Sequence, residues 1–198
     1  MNILALSDCP PNYSIIQMVD NYRPDLILTL GDFSIQSLKE LSSVNTIPKL
    51  GVYGNHCTRG YMEELEIVNM HLKTINIGGL IFGGFEGCVR YKDSPFEPMF
   101  TQQECSQMML GLPKVDIFLS HCPPWGINDD QSNPNDISHS GFIGLRDYLD
   151  KNSPKAWFHG HTYPTSPVQE YSETAIYYID GEGLVSLGEL GVKKVNLI

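Results

Sequence analysis

Short apolar runs, each closed by a glycine or a polar residue, recur along this chain and alternate with stretches of helical spacing, which leaves few folds open to it. Residues 2–7 ("NILALS"), 25–30 ("DLILTL") and 47–54 ("IPKLGVYG") are short and apolar throughout, as strands buried on both faces are. Between them, Ile15, Ile16 and Val19 give an apolar face to a helix ending before Pro24. A second helix is expected through Ser37 to Leu41, and "GYMEELEIV" (60–68) is expected to be a third. The first half therefore reads β-α-β-α-β.

The middle of the chain changes character. "LKTINIGGLIFGGF" predicts a hairpin turning at Gly78 and Gly79. A loop rich in proline and aromatic residues follows, and Thr101 with Glu104 opens a helix through a capping box. "KVDIFLS" and "KAWFHG" are two more buried strands, separated by a loop and the helical "GFIGLRDYLD". From Ser166 the chain is strand-like, with turns expected at "DGEG" and near "ELGV". The middle and terminal hairpins cannot all extend one parallel sheet, so an α/β fold on two sheets is expected. With 198 residues, 41% of them hydrophobic, and no linker or repeat, residues 1–198 read as a single domain.

Charge and cysteine usage narrow the function classes. A formal charge of -10 gives little purchase on an extended nucleic acid, whose binding rests on lysine and arginine. Five scattered cysteines without a CxxC pair suit reduced thiols and a cytoplasmic protein. No basic n-region precedes the opening apolar run and no stretch is long enough to span a bilayer, so no membrane partner is expected.

The chemistry stands at the ends of the apolar runs. Asp8 follows "NILALS", Asp32 follows "DLILTLG", Asn55 and His56 follow "KLGVYG", His121 follows "VDIFLS" and His161 ends "KAWFHGH". Taken singly, each has an ordinary role: Asp32 caps a helix, Asn55 sits in a left-handed turn, His121 is a satisfied core histidine. Together, at the carboxyl ends of strands where α/β folds bind ligands, they gather carboxylate, amide and imidazole donors into one crevice. That donor set suits Mn, Fe or Zn. Gly31, Gly54 and Gly160 each precede a candidate ligand and permit a tight turn there.

In order, "LSDCPP", "LGDFS", "GNHCT", "SHCPPWG" and "GHTYP" resemble the signature blocks of the calcineurin-like metallophosphoesterases, from Ser7 to Pro164. The resemblance implies a β-sandwich flanked by helices, four layers around a βαβαβ core. It implies a two-metal centre with Asp32 bridging: one tight ion on Asp32, Asn55, His121 and His161, and another on Asp8 and Asp32. It further implies a metal-dependent phosphoesterase in which water activated to hydroxide on the metal attacks phosphorus in line, with His56 stabilising charge or protonating the leaving oxygen. The substrate would be a small phosphoester, a diester or nucleotide-like one more than a monoester, since nothing basic marks out a dianion.

The chain also departs from the pattern. Pro10 and Tyr163 stand where histidine ligands of the second ion are expected, and Cys57 replaces the acidic residue after His56. A phenol binds Zn or Mn poorly unless ionised, though phenolate binds ferric iron. Three outcomes stay open: a weaker second ion held by Asp8, Asp32 and water, a site completed by an outside residue such as His139, or a single ion. His139, in "ISHSGFIGL", otherwise reads as a solvent-exposed loop histidine, and His71 and His159 read as structural. Phe96, Met99, Phe100 and Trp125 lie on loops expected to flank the crevice, either to stack on a base or to cap the core. The alternative function is a catalytically weakened member of the family serving as a protein-interaction module. Retention of Asp8, Asn55, His56, His121 and His161 together argues against it.

Overall fold

The computed structural model describes residues 1–133, 135–188 and the backbone of 191–197. Strand β1 (Asn2–Ser7), helix α1 (Ile15–Tyr22), β2 (Leu26–Thr29), helix α2 (Ile35–Leu38), β3 (Lys49–Gly51), helix α3 (Tyr61–Glu64) and β4 (Val68–Asn69) make the first half. The hairpin β5 (Thr74–Ile77) and β6 (Leu80–Phe85) follows, then β7 (Cys88–Val89), β8 (Met99–Phe100), α4 (Gln102–Met109), β9 (Ile117–Ser120), α5 (Ile143–Asn152) and β10 (Ala156–His159). The tail forms β11 (Val168–Tyr171), β12 (Thr174–Tyr178), β13 (Gly181–Gly188) and β14 (Gly191–Leu197).

Two six-stranded sheets result, ordered β14-β13-β1-β2-β3-β4 and β11-β12-β10-β9-β6-β5, with β7 and β8 as a small separate pair. Strands β1 to β4 run parallel in the first sheet, and β6, β9, β10 and β12 run parallel in the second. The side chains sort by period two into three buried clusters, as strands covered on both faces require. Ile3, Ala5 and Leu28 meet Phe82, Leu119 and Phe158 between the sheets. Leu4, Leu6 and Ile27 pack under Ile15, Met18 and Leu41 of the helical layer. On the outer face of the second sheet, Phe118 and Trp157 stack at 4.0 Å between ring centres and meet Cys105, Leu145 and Leu149 from α4 and α5. The layers are thus helix, sheet, sheet, helix, the expected four-layer sandwich.

The helices end where local chemistry ends them. Arg23 and Ser153 take left-handed φ of 44° and 45° just ahead of Pro24 and Pro154, closing α1 and α5. The capping box forms: Thr101 Oγ1 accepts from Glu104 N at 3.1 Å and a Glu104 oxygen accepts from Thr101 N at 2.7 Å. Expectation and structure differ in three places. The helix expected over 60–68 is a single turn, since Gly60 offers no capping side chain and Glu66 at φ 55° breaks it, freeing Val68 to pair with Leu50. The helix expected through Ser37 to Leu41 is α-helical only over Ile35–Leu38, on the Ser34 cap, and continues as a 3-10 turn over Lys39–Ser43. The "DGEG" turn is confined to Asp180, because Gly181 already pairs with Ser7. Residues 189 and 190 of the turn near "ELGV" lie outside the described residues.

Candidate metal centre

Because both parallel sets run the same way out of the core, the turns after β1, β2, β3, β9 and β10 open on one rim. Backbone bonds tie these turns together: Asp8 N donates to Gly31 O at 3.1 Å and Gly160 N to His121 O at 3.0 Å. Three candidate ligands, Asp8, Asp32 and His161, hold φ of 60°, 62° and 71°. Non-glycine residues held there cost on the order of 1–3 kcal/mol each, and such strain collects at functional sites. Two glycines make the space. A Cβ on Gly31 would lie 2.6 Å from His121 Nδ1, and one on Gly54 would lie 2.7 Å from both Asp32 N and His121 Cε1.

The donors converge. His121 is fully buried, and its Nδ1–H donates to Leu30 O at 2.8 Å, which leaves Nε2 facing Asn55 Oδ1 at 3.1 Å and Asp32 Oδ2 at 3.4 Å. His161 donates from Nε2 to Ser138 O at 2.7 Å, leaving Nδ1 free. Ligand atoms of Asp32, His121 and His161 all lie within 4.8 Å of one another. The Asp32 Oδ1 atom accepts from His56 N at 2.7 Å. Both Asp8 oxygens accept from His161 N, at 3.0 and 3.1 Å, and Oδ2 also accepts from Ser7 Oγ at 2.6 Å.

Electrostatics separates the two carboxylates. Burial raises the Asp8 carboxyl above its ordinary value. Burial also opposes ionisation of Asp32, but the adjacent His121 outweighs it and holds that carboxyl well below the usual range. In return, against its own burial, His121 is raised to about 9 by Asp32. Burial, reinforced by His121, depresses His161 to about 3, so it is neutral at neutral pH, the form that ligates metals. Two carboxylates, an amide oxygen and two imidazoles fit a divalent cation of borderline hardness.

The remaining candidates divide. His56 is exposed, and its side chain is not in the close cluster. Cys57 turns inward instead of orienting His56: its Sγ accepts from Asp32 N and Gly54 N, both at 3.0 Å, and lies 3.8 Å from Tyr61 Oη. His139 does come to the site, its ring 5.3 Å from that of His161 and 5.9 Å from that of Tyr163. Tyr163 is 74% exposed and turned outward. His159 is buried and donates to Gly160 O at 3.0 Å while accepting from Asn128 Nδ2 at 2.9 Å. His71 lies against Phe85 and Phe100 and makes a lone bridge to Gly84. Met99 and Phe100 pack on the core, whereas Phe96 and Trp125 remain exposed. Sequence reasoning missed Tyr91, whose hydroxyl accepts from Asn55 Nδ2 at 3.4 Å and so turns Oδ1 toward His121, and Ser138. Both lie on loops with no periodic signal.

A family model described as calcineurin-like phosphoesterase matches residues 1–164. Among solved structures, the protein TT1561 of Thermus thermophilus superposes with a TM-score of 0.64 at 14% identity, over 89% of this chain and 88% of that one. Phosphopantetheinyl hydrolase from Mycobacterium tuberculosis gives 0.61 at 13% identity over 90% and 89%. A phosphatase from Mycoplasma pneumoniae gives 0.53 at 12% identity over 89% and 70%. At these identities the likeness speaks for the fold alone. No curated protein sequence matches the chain at a significant level.

Proposed function

The chain belongs to the calcineurin-like phosphoesterase family, and on that premise we propose that residues 1–198 form one domain acting as a metal-dependent phosphodiesterase on small or nucleotide-like diesters. The observation that carries this is the convergence of Asp32, His121 and His161 within 4.8 Å, with Asn55 Oδ1 beside them. In this reading those four hold a tight ion, and Asp8 with Asp32 serves a weaker one. Mn or Fe suits the donors best and Zn is the alternative. When bound, such ions supply Lewis acidity, making a nucleophile from water near neutral pH and neutralising phosphoryl charge.

The protein's own groups do the rest. Asp32 is fixed by His56 N and shares its charge between the two positions. His56, exposed on the rim, meets the substrate and moves a proton at the leaving oxygen. His139 and Tyr163, beside His161, act as auxiliaries to substrate or metal. The preference for a diester rests on charge. Arg59 and Lys92 are committed to Glu86 at 3.5 Å and Glu97 at 2.9 Å, which on this reading leaves the second charge of a monoester less well met. A net charge of -10 speaks against extended nucleic acid. The free cysteines suit a cytoplasmic location, and among the described residues no helix is long and apolar enough to cross a membrane. Metal analysis of the purified protein, with a panel of diesters and monoesters assayed with and without Mn, tests the reading. Metal-free protein that turns over no ester under any loading would defeat it.

A further inference from the structure

The carboxamide of Asn55 stands between two groups. Its oxygen faces His121 Nε2 at 3.1 Å, and its nitrogen donates to Tyr91 Oη at 3.4 Å. Asn55 is 1% exposed, so both ends need partners within the protein, and among the described residues Tyr91 is the acceptor that Nδ2 has. A phenol oxygen can both give and take a hydrogen bond, whereas an amide nitrogen only gives. In this pair Tyr91 must therefore accept, and its own proton is left over. Among the described residues no group takes that proton.

The surroundings fix the hydroxyl in place. Tyr91 is half-buried, its ring packed on the core cluster over the second sheet and faced by Lys92 Nζ at 5.2 Å from the ring centre. It lies in the loop between β7 and β8, and that loop is fastened to the turn carrying Asn55 and His56, because Arg59 Nε donates to Phe96 O at 3.4 Å. Within the loop Lys92 pairs with Glu97 at 2.9 Å, and at its base Arg90 N donates to Phe100 O, also at 2.9 Å. One hydrogen bond and the width of an amide separate the Tyr91 hydroxyl from Asn55 Oδ1, the atom that faces His121.

We propose that Tyr91 is a substrate-binding residue, which accepts from Asn55 and gives its O–H to a non-bridging phosphoryl oxygen of the ester. The proposal rests on the phosphoesterase reading above and adds a donor to it. An uncharged donor suits the single negative charge of a diester, where Arg59 and Lys92 are already paired with Glu86 and Glu97. It also gives a reason for the orientation of the amide. With its proton spent on substrate the phenol can only accept, so Asn55 turns Nδ2 to it and Oδ1 inward, and the bonds polarise one another.

The test is Tyr91→Phe, which keeps the ring on the core and removes the hydroxyl alone. Wild type and variant are assayed on bis(p-nitrophenyl) phosphate at saturating Mn, and the affinity of the Mn-loaded proteins for inorganic phosphate is measured by calorimetry. Tyr91→Phe is expected to lower kcat/KM and to weaken phosphate binding, each by about 10–100-fold, the range of a hydrogen bond to a charged group, with circular dichroism unchanged. Mn affinity should fall by a smaller factor, since Asn55 keeps its oxygen beside His121. A loss that disappears once Mn is saturating would reduce Tyr91 to a support for Asn55 and overturn the proposal. Phosphate affinity unchanged within about twofold would do the same, as would wild type that binds no phosphate in the presence of Mn. Wild type that binds phosphate with Mn yet hydrolyses neither diesters nor monoesters would defeat the phosphoesterase reading, while the phosphate titration still decides the role of Tyr91.

Discussion

At the scale of single residues, the centre is defined by which atoms are already committed to the protein. Leu30 O holds His121 Nδ1 and Ser138 O holds His161 Nε2, so each ring has one nitrogen left to give. Removing a donor should therefore remove the ion and spare the fold. His161→Ala and Asn55→Ala are expected to lose tight metal by more than the ~10–100-fold that loss of a supporting contact costs, with thermal stability of the metal-free protein little changed. Metal content by mass spectrometry and a melting curve check this, and unchanged content in both variants would refute the assignment. His56 behaves differently, because it is exposed and outside the close cluster. His56→Ala should lower kcat by about 10²–10⁴-fold while metal content stays at the wild-type level. Asp32→Asn should damage metal binding at least as much as Asp8→Asn, since only Asp32 lies within reach of both His121 and the His56 backbone. Equal Mn affinity in wild type and Asp32→Asn would end its bridging role.

At the scale of elements, the site depends on how closely the strand-end turns approach. Gly31 and Gly54 exist because His121 lies against them, and Cys57 Sγ binds the two turns by accepting from Asp32 N and Gly54 N. Gly31 also holds φ 106°, so Gly31→Ala meets both a backbone penalty and the His121 ring. It is expected to destabilise the protein by ~2 kcal/mol or more and to release metal. Cys57→Ala leaves two backbone donors without their acceptor and should cost ~1–3 kcal/mol, whereas Cys57→Ser, which keeps an acceptor, should cost less. Denaturant melts of the three variants order them. Equal stability of Cys57→Ala and wild type would show that the sulfur contacts carry no weight.

At the scale of the whole molecule, the -10 charge and the carboxylates gathered at one rim make cations partners in stability. A metal that binds only the folded chain at a hundredfold excess over its Kd adds ~2.7 kcal/mol, which for a chain of this size corresponds to a rise in Tm of about 5–10 °C. Mn addition and chelation measured by calorimetry should move Tm by that amount in opposite directions, and a Tm indifferent to both would argue against a folded-state site. What the amino-acid order determined by itself was whatever is written locally. Runs such as "NILALS" and "VDIFLS" are buried on both faces and therefore apolar throughout, and Asp8, Asp32, Asn55, His121 and His161 announce themselves as polar residues where those runs stop. The capping box at Thr101 is equally local. Only the tertiary structure decided the rest. The helix expected over 60–68 dissolves because Val68 gains a strand partner in Leu50, and Tyr91 and Ser138 reach the site on loops whose course no periodicity dictates. Such placements come from contacts between segments far apart in the chain, and a sequence carries the chemistry of each segment without the register that joins them.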